Sequence, residues 1–175
     1  GHPFLDVFTG WTWTSTSSAV NPAYAWNVHL LGARTFYSRK DQYAVAWPVR
    51  GNSEWLPRTG QTRCYDDKGE PIDCADSLQD GALAPGAPWP EPRFEPAGPV
   101  TVRDRLTGLV WTKHANLAGG DVTWDDSLRL VEALELDGRR FRLPTIMELE
   151  SLVDASKSFP ALPGGHPFED PQQAL

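Results

Sequence analysis

The chain has 175 residues, a formal net charge of −7 and a sequence pI near 5.0. This length suits one domain with a sizeable core, or one domain with a linker. The acidic balance argues against a nucleic-acid partner, since no basic patch is present to release counterions. No apolar run is long enough to span a bilayer, and residues 1–4 do not form a signal peptide, so we expect no membrane insertion.

Residues 1–51 are rich in strand signals. Aromatic residues alternate with hydroxyl or small residues, which is the period of a half-buried strand. The predicted strands are 11–16, 24–30, 35–37 and 43–49. Strands so closely spaced predict an antiparallel meander, in which Pro48 places the last strand at an edge or a bulge.

Residues 52–99 contain eight prolines, which leave little room for regular structure. The exception is the segment between Cys64 and Cys74, where residues 66–69 form a polar turn. We predict a hairpin or loop closed by a disulfide, which favours an oxidising compartment and contributes roughly 3 kcal/mol. A redox-active pair is the alternative. It is disfavoured because the spacing is not Cys-x-x-Cys and no helix N-terminus lies beside it.

Residues 100–175 begin with predicted strands at 100–102 and 106–111 around a charged turn. Thr123 stands three residues before Asp126, which predicts a capped helix that ends at Gly138. Its predicted face is defined by Trp124, Leu128, Val131 and either Leu134 or Glu135.

A second helix start follows a predicted strand at 141–143, which Pro144 ends. Thr145 and Glu148 have the spacing of a capping box. Ile146, Leu149, Leu152 and Val153 then recur at helical spacing. Taken alone, this stretch also fits an ordinary packed corner.

One internal repeat is present. Gly-His-Pro-Phe occurs at 1–4 and again at 165–168, and each copy is followed one residue later by an aspartate, Asp6 or Asp170. The two copies lie at opposite ends of the sequence.

Several short motifs together resemble the Lcl C-terminal domain-like family of bacterial envelope or secreted domains. The matching segments are 56–65, 79–81, 88–90, 92–94, 100–104, 106–113, 115–116, 123–124, 141–145 and 148–153, together with 13–16 and 47–51. The resemblance implies an α+β fold similar to the C-type lectin and sulfatase-modifying-factor folds, with two short helices, an antiparallel meander and a disulfide-closed loop.

The order of the segments departs from the family pattern. Residues 1–51 resemble the closing half of such a domain and 100–175 the opening half, with 52–99 as a proline-rich linker that carries the disulfide loop. The chain therefore resembles a piece of a tandem array, or a chain with permuted halves. Residues 1–11 and 165–175 would be two copies of one structural position.

Candidate chemistry is sparse. None of His2, His29, His114 and His166 has a partner at metal-ligand spacing. A cluster of acids could bind calcium through oxygen ligands, and solvated turn residues are the alternative. The candidate ligands are Asp66, Asp67, Asp73, Asp76 and Asp80.

Aromatic side chains in residues 1–51 could stack on sugar rings or anchor a protein partner, unless they form the core. The candidate contact residues are Trp11, Trp26, Tyr37 and Tyr43.

We therefore expect a non-enzymatic binding or structural module, extracellular or in the cell envelope of a bacterium. Its predicted partners are copies of the same chain or repeat, through strand exchange, and a glycan or surface protein. An inter-chain arrangement is favoured over a self-closed monomer, in which Trp13 and Val110 of one chain would share a core. The alternatives are a glycan-binding lectin and an oxidase of the formylglycine-generating type, which would need free thiols.

Overall fold

A computed structural model describes residues 1, 3–5, 7 and 10–169 of the chain. Unit 1 comprises Gly1–Ala87 and Asp154–Ser158, and unit 2 comprises Pro88–Val153 and Phe159–Leu175. The class is α+β, with antiparallel sheets, few helices and one disulfide, as predicted. The assignment of residues 1–51 and 100–175 to swapped halves of one domain stays a prediction.

Unit 1 contains a three-stranded antiparallel sheet in the order β1-β2-β3. Its strands are β1 (Trp11–Ser17), β2 (Tyr24–His29) and β3 (Arg34–Arg39). These are the first three predicted strands, and their alternating aromatic and hydroxyl residues suit a sheet that is partly buried.

The fourth predicted strand, 43–49, was wrong. Val45 forms a single parallel bridge with β1, in which its N–H donates to Trp11 O and its carbonyl accepts from Trp13 N, both at 2.9 Å. Pro48 has no N–H to continue a ladder, and Val49 is 96% exposed. The meander therefore has three strands.

The disulfide hairpin is confirmed. Strands β4 (Cys64–Tyr65) and β5 (Pro71–Ile72) pair antiparallel, and Cys64 and Cys74 are bonded with their Cα atoms 5.4 Å apart. A short helix, α1 (Asp80–Leu83), follows in the segment that was expected to lack regular structure. Two helices were predicted, and this third one was missed because a single turn has no periodic signal.

A buried polar cluster holds unit 1 together. The Asp80 carboxylate is 2% exposed and accepts hydrogen bonds from Thr16 Oγ1 at 2.7 Å and Thr59 Oγ1 at 2.5 Å. Gln61 Nε2 donates to Ser17 O at 3.4 Å. Residues from 1–51 and from 52–87 thus share one interior. The assignment of 52–99 as a linker stays a prediction.

Unit 2 contains a second antiparallel sheet in the order β6-β7-β8. Its strands are β6 (Phe94–Pro96), β7 (Thr101–Asp104) and β8 (Val110–Thr112). The last strand begins later than predicted, because Asp104 accepts from Leu106 N and Thr107 Oγ1 and so extends the turn. The same carboxylate is fully buried against Arg93, with Nη2 and Oδ2 3.1 Å apart.

Both predicted helix starts in unit 2 are confirmed. Helix α2 (Trp124–Glu132) is capped by Thr123, whose Oγ1 accepts from Asp126 N. Helix α3 (Ile146–Glu150) begins at the predicted capping box of Thr145 and Glu148.

Two predicted boundaries near these helices were wrong. A hairpin of β9 (Glu135–Leu136) and β10 (Arg139–Arg140) follows α2. Gly138, with φ at +69°, turns this hairpin together with Asp137 and does not end the helix. The β9–β10 turn places the strand at 139–140. Residues 141–143, where a strand was predicted, follow it and form no strand.

Candidate functional site

An apolar groove lies within unit 2 and has a volume of about 520 Å³. Its walls come from β8, α2, α3 and the loop that ends at Phe168. Representative lining residues are Trp111, Leu130, Phe141 and Leu149. We call this feature the unit 2 groove.

The helices of unit 2 leave this groove open. No residue of α2 or α3 is buried, although both helices carry an apolar stripe. Leu130 is 38% exposed and Leu149 is 55% exposed. Because short helices are stabilised mainly by packing of their apolar face, these two have an interface that the described residues do not fill.

A charged pair marks one rim of the unit 2 groove. Arg142 donates from Nη1 and Nη2 to the two oxygens of Glu148, at 2.7 and 2.6 Å, and Thr145 N also donates to Glu148 at 2.7 Å. The hydrogen bond from Arg142 is the main cause that lowers the pKa of Glu148 from 4.5 to about 2. The start of α3 is therefore anchored by a carboxylate that stays ionised at neutral pH.

The second Gly-His-Pro-Phe segment docks beside β8. Phe168 lines the groove and packs edge-on against Phe94, with ring centroids 5.3 Å apart. Glu169 N donates to Lys113 O at 2.8 Å, and Glu169 O accepts from Ala115 N at 3.4 Å. These bonds form a parallel bridge with His114, whose Nε2 lies 3.0 Å from a Glu169 carboxylate oxygen.

The first Gly-His-Pro-Phe segment lies in unit 1 in different surroundings. Phe4 packs edge-on against Trp47 at 5.2 Å but remains 56% exposed, and Leu5 is 89% exposed. His2, Asp6 and Asp170 lie outside the described residues. The two copies of one sequence therefore differ in burial at the phenylalanine, which is exposed at Phe4 and half-buried at Phe168.

The five acids proposed as calcium ligands are not brought together. Asp66 Oδ1 accepts from Lys68 N and Glu70 N in the β4–β5 turn, and Asp73 accepts from Ala75 N. Asp80 is buried among hydroxyl donors. Asp67 and Asp76 are exposed.

Across the described ranges, no three histidine, cysteine, aspartate or glutamate side chains are placed to hold a metal ion. The geometry therefore lends the calcium hypothesis no support. Asp66 and Asp73 instead serve as turn acceptors, a common role for aspartate in loops.

The four aromatic candidates fall into two groups. Trp11 packs on His29 at 4.9 Å, and Trp26 packs on Tyr37 at 5.2 Å, so these three candidates are half-buried in the sheet of unit 1. Tyr43 is fully exposed. Of the four candidates, Tyr43 is therefore the one whose ring is exposed to solvent and does not pack in the sheet.

Sequence reasoning did not identify the unit 2 groove. The apolar stripes of α2 and α3 were recognised, but a stripe alone predicts burial and does not show what covers it. The signal that could have found the site is the absence of further apolar segments in 100–175 to cover both stripes, together with the repeated Gly-His-Pro-Phe.

Comparisons with known proteins bear on the segment that forms the groove. No curated protein and no solved structure matched the chain. Within the described part of the chain, no helix has the length and apolar character needed to cross a membrane. A family model, the Lcl C-terminal domain, matches residues 100–172, and together with the disulfide it suggests an extracellular or envelope protein. Residues 100–172 are therefore similar to the Lcl C-terminal domain, the family that the short sequence motifs indicated.

Proposed function

We propose that the chain is a non-enzymatic extracellular module with a C-type lectin-like fold, a subunit or repeat of a head-to-tail assembly at a bacterial surface. The unit 2 groove carries this proposal. An apolar surface of this kind, flanked by the exposed stripes of α2 and α3, is typical of a protein interaction site.

A second copy of the chain is the partner that best suits the groove. The strand-rich segment 1–51 contributes its sheet to unit 1. The described part of unit 2 has five strands of two to four residues and two uncovered helices as its main elements. Strand β3 pairs with β2 and has no other partner among the described strands. An unpaired edge of this kind can add to another chain.

The form of the assembly depends on the symmetry of the contact between copies. If a surface of one copy binds a different surface of the next, the contact is heterologous, and repeated contacts either close a ring or extend a filament. We favour a filament for this chain.

Sedimentation velocity of the full chain and of two variants on α3 tests the proposal. Leu149→Glu places a carboxylate in the groove, whereas Met147→Glu alters a residue of the same helix that is 64% exposed and lies outside the groove lining. Since burying a leucine contributes about 1.5–3 kcal/mol, Leu149→Glu should weaken self-association by about tenfold or more.

Met147→Glu should associate like the unaltered chain. A chain that stays monomeric at every concentration would overturn the proposal. Equal behaviour of the two variants would also count against it, because the groove would then have no part in association.

Glycan binding is a second candidate function, favoured by the full exposure of Tyr43. An aromatic ring in this setting can stack on a neutral sugar. A glycan array comparing the chain with Tyr43→Ala tests it, and loss of neutral-glycan signals in the variant is expected. Strong heparin binding is not expected at a net charge of −7. The alternative function, an oxidase of the formylglycine-generating type, would need free thiols, whereas Cys64 and Cys74 form a disulfide.

A further inference from the structure

The two Gly-His-Pro-Phe segments have the same sequence but different roles in the single chain. The copy at 165–168 is fastened beside β8, with Phe168 in the unit 2 groove. The copy at 1–4 leaves Phe4 and Leu5 exposed. A site that accepts one copy of a sequence is chemically suited to accept the other.

We propose that a second copy of the chain docks on unit 2 by placing its residues 1–5 beside residues 113–115, where 165–169 lie in the single chain. This inference rests on the proposed self-assembly and identifies the contact that would produce it. In the docked state Phe4 of the second copy replaces Phe168 against Phe94, and Leu5 replaces Glu169.

The contacts at this site transfer from one copy to the other. The hydrogen bonds of Glu169 to Lys113 and Ala115 are made by its backbone, so Leu5 can make them equally well. Leu5 cannot reproduce the contact between Glu169 and His114. That contact is half exposed on both sides, so its loss costs little.

The exposed apolar residues of the first copy gain most from docking. Leu5 is 89% exposed and Phe4 is 56% exposed in the single chain. Glu169, by comparison, is a charged residue that solvates well where it is. Docking therefore removes the Leu5 side chain from water, whereas the side chain of Glu169, which it replaces, is already 53% exposed.

The length of chain after Phe4 allows the following strand to reach the groove. Trp11 comes seven residues after Phe4. An extended segment of that length spans up to about 24 Å, which exceeds the width of a packed sheet layer of about 10 Å. Docking of residues 1–5 therefore brings β1 of the second copy within reach of the uncovered faces of α2 and α3.

The tethered copy competes with the incoming one. Because a tethered segment has an effective concentration in the millimolar range, exchange between chains should depend steeply on protein concentration. Phe168→Ala weakens the tethered copy and should lower the concentration at which chains associate by about tenfold. The double variant Phe4→Ala with Phe168→Ala should lose that gain.

A cysteine trap tests the position directly. Leu5→Cys and His114→Cys are made in separate full-length chains, mixed and oxidised mildly; the native cysteines are already bonded to each other. Since Glu169 is the bridge partner of His114, docking brings the new thiols of two chains into disulfide range. Mixing Leu5→Cys with Asp125→Cys, an exposed site on α2, is the matched control.

We expect the Leu5→Cys and His114→Cys mixture to give about tenfold more heterodimer than the control on a non-reducing gel, and adding Phe4→Ala to the first chain should suppress it. A yield no higher than the control overturns the inference. If the chains still associate in sedimentation while the trap fails, the docking site is wrong and the proposed assembly stands. If they do not associate at all, both fail.

Discussion

Unit 1 and unit 2 each bury an aspartate, but they differ in what closes the rest of the interior. In unit 1, Asp80 is reached by Thr16 from 64 positions away in sequence, and a disulfide closes the adjacent hairpin. In unit 2, Asp104 pairs with Arg93 from 11 positions away. The helices beside that sheet keep their apolar residues exposed.

This difference indicates which contacts hold each unit together and where a partner could bind. Unit 1 joins distant parts of its own chain through buried hydrogen bonds. Unit 2 has a buried ion pair and an apolar groove that its described residues leave open. A partner that fills the groove would bury the exposed apolar side chains of α2 and α3.

Removing the buried acid of unit 2 should have the largest effect. Asp104→Ala leaves the Arg93 guanidinium, whose side chain is 6% exposed, without its counter-charge. Breaking such a pair from one side costs about 3–5 kcal/mol. Hydrogen exchange followed by mass spectrometry should show β6, β7 and β8 losing protection while β1 and β2 keep theirs.

Glu95→Ala is the matched control for that experiment. Glu95 lies near Arg103 at 3.7 Å, but both side chains are 47% exposed, so the change should be within about 1 kcal/mol. Equal loss of protection in both units after Asp104→Ala would show that the two units unfold together, which would break the comparison between them.

Removing the buried acid of unit 1 should have a smaller effect. Asp80→Ala leaves the hydroxyls of Thr16 and Thr59 without their shared acceptor, which costs about 2–3 kcal/mol. Chemical denaturation gives the free energy of unfolding, and hydrogen exchange locates the loss in unit 1. Asp76→Ala changes an exposed acid of the same segment and should stay within about 0.5 kcal/mol.

The features predicted correctly from sequence are those whose partners are close in the chain. The capping box of Thr145 and Glu148 and the bond between Cys64 and Cys74 span three and 10 positions. Local spacing is enough to specify such pairs.

The features that sequence reasoning missed depend on distant partners. Asp80 was grouped with surface acids as a calcium ligand, because nothing near it in sequence indicates that Thr16 would donate to it. The strand at 43–49 was predicted from its aromatic pattern, but the ladder it would need was not available beyond Val45. The groove was missed because periodicity identifies an apolar face but not the surface that covers it.

The smallest expected effect is a pH dependence confined to the rim of the unit 2 groove. The hydrogen bond from Arg142 holds the pKa of Glu148 at about 2, below its ordinary value of 4.5. Between these two values the unfolded chain binds the proton more readily, so the contribution of this carboxylate to stability is present above pH 4.5 and is lost as the pH falls towards 2. Glu148→Gln should flatten the dependence of stability on pH in that window and speed amide exchange at the start of α3. Glu150→Gln, an exposed change on the same helix, serves as control. Identical pH profiles for the two variants would mean that Arg142 does not hold Glu148 in solution. The rim of the unit 2 groove would then lack the ion pair between these two residues, which would widen its difference from the hydrogen-bonded interior of unit 1.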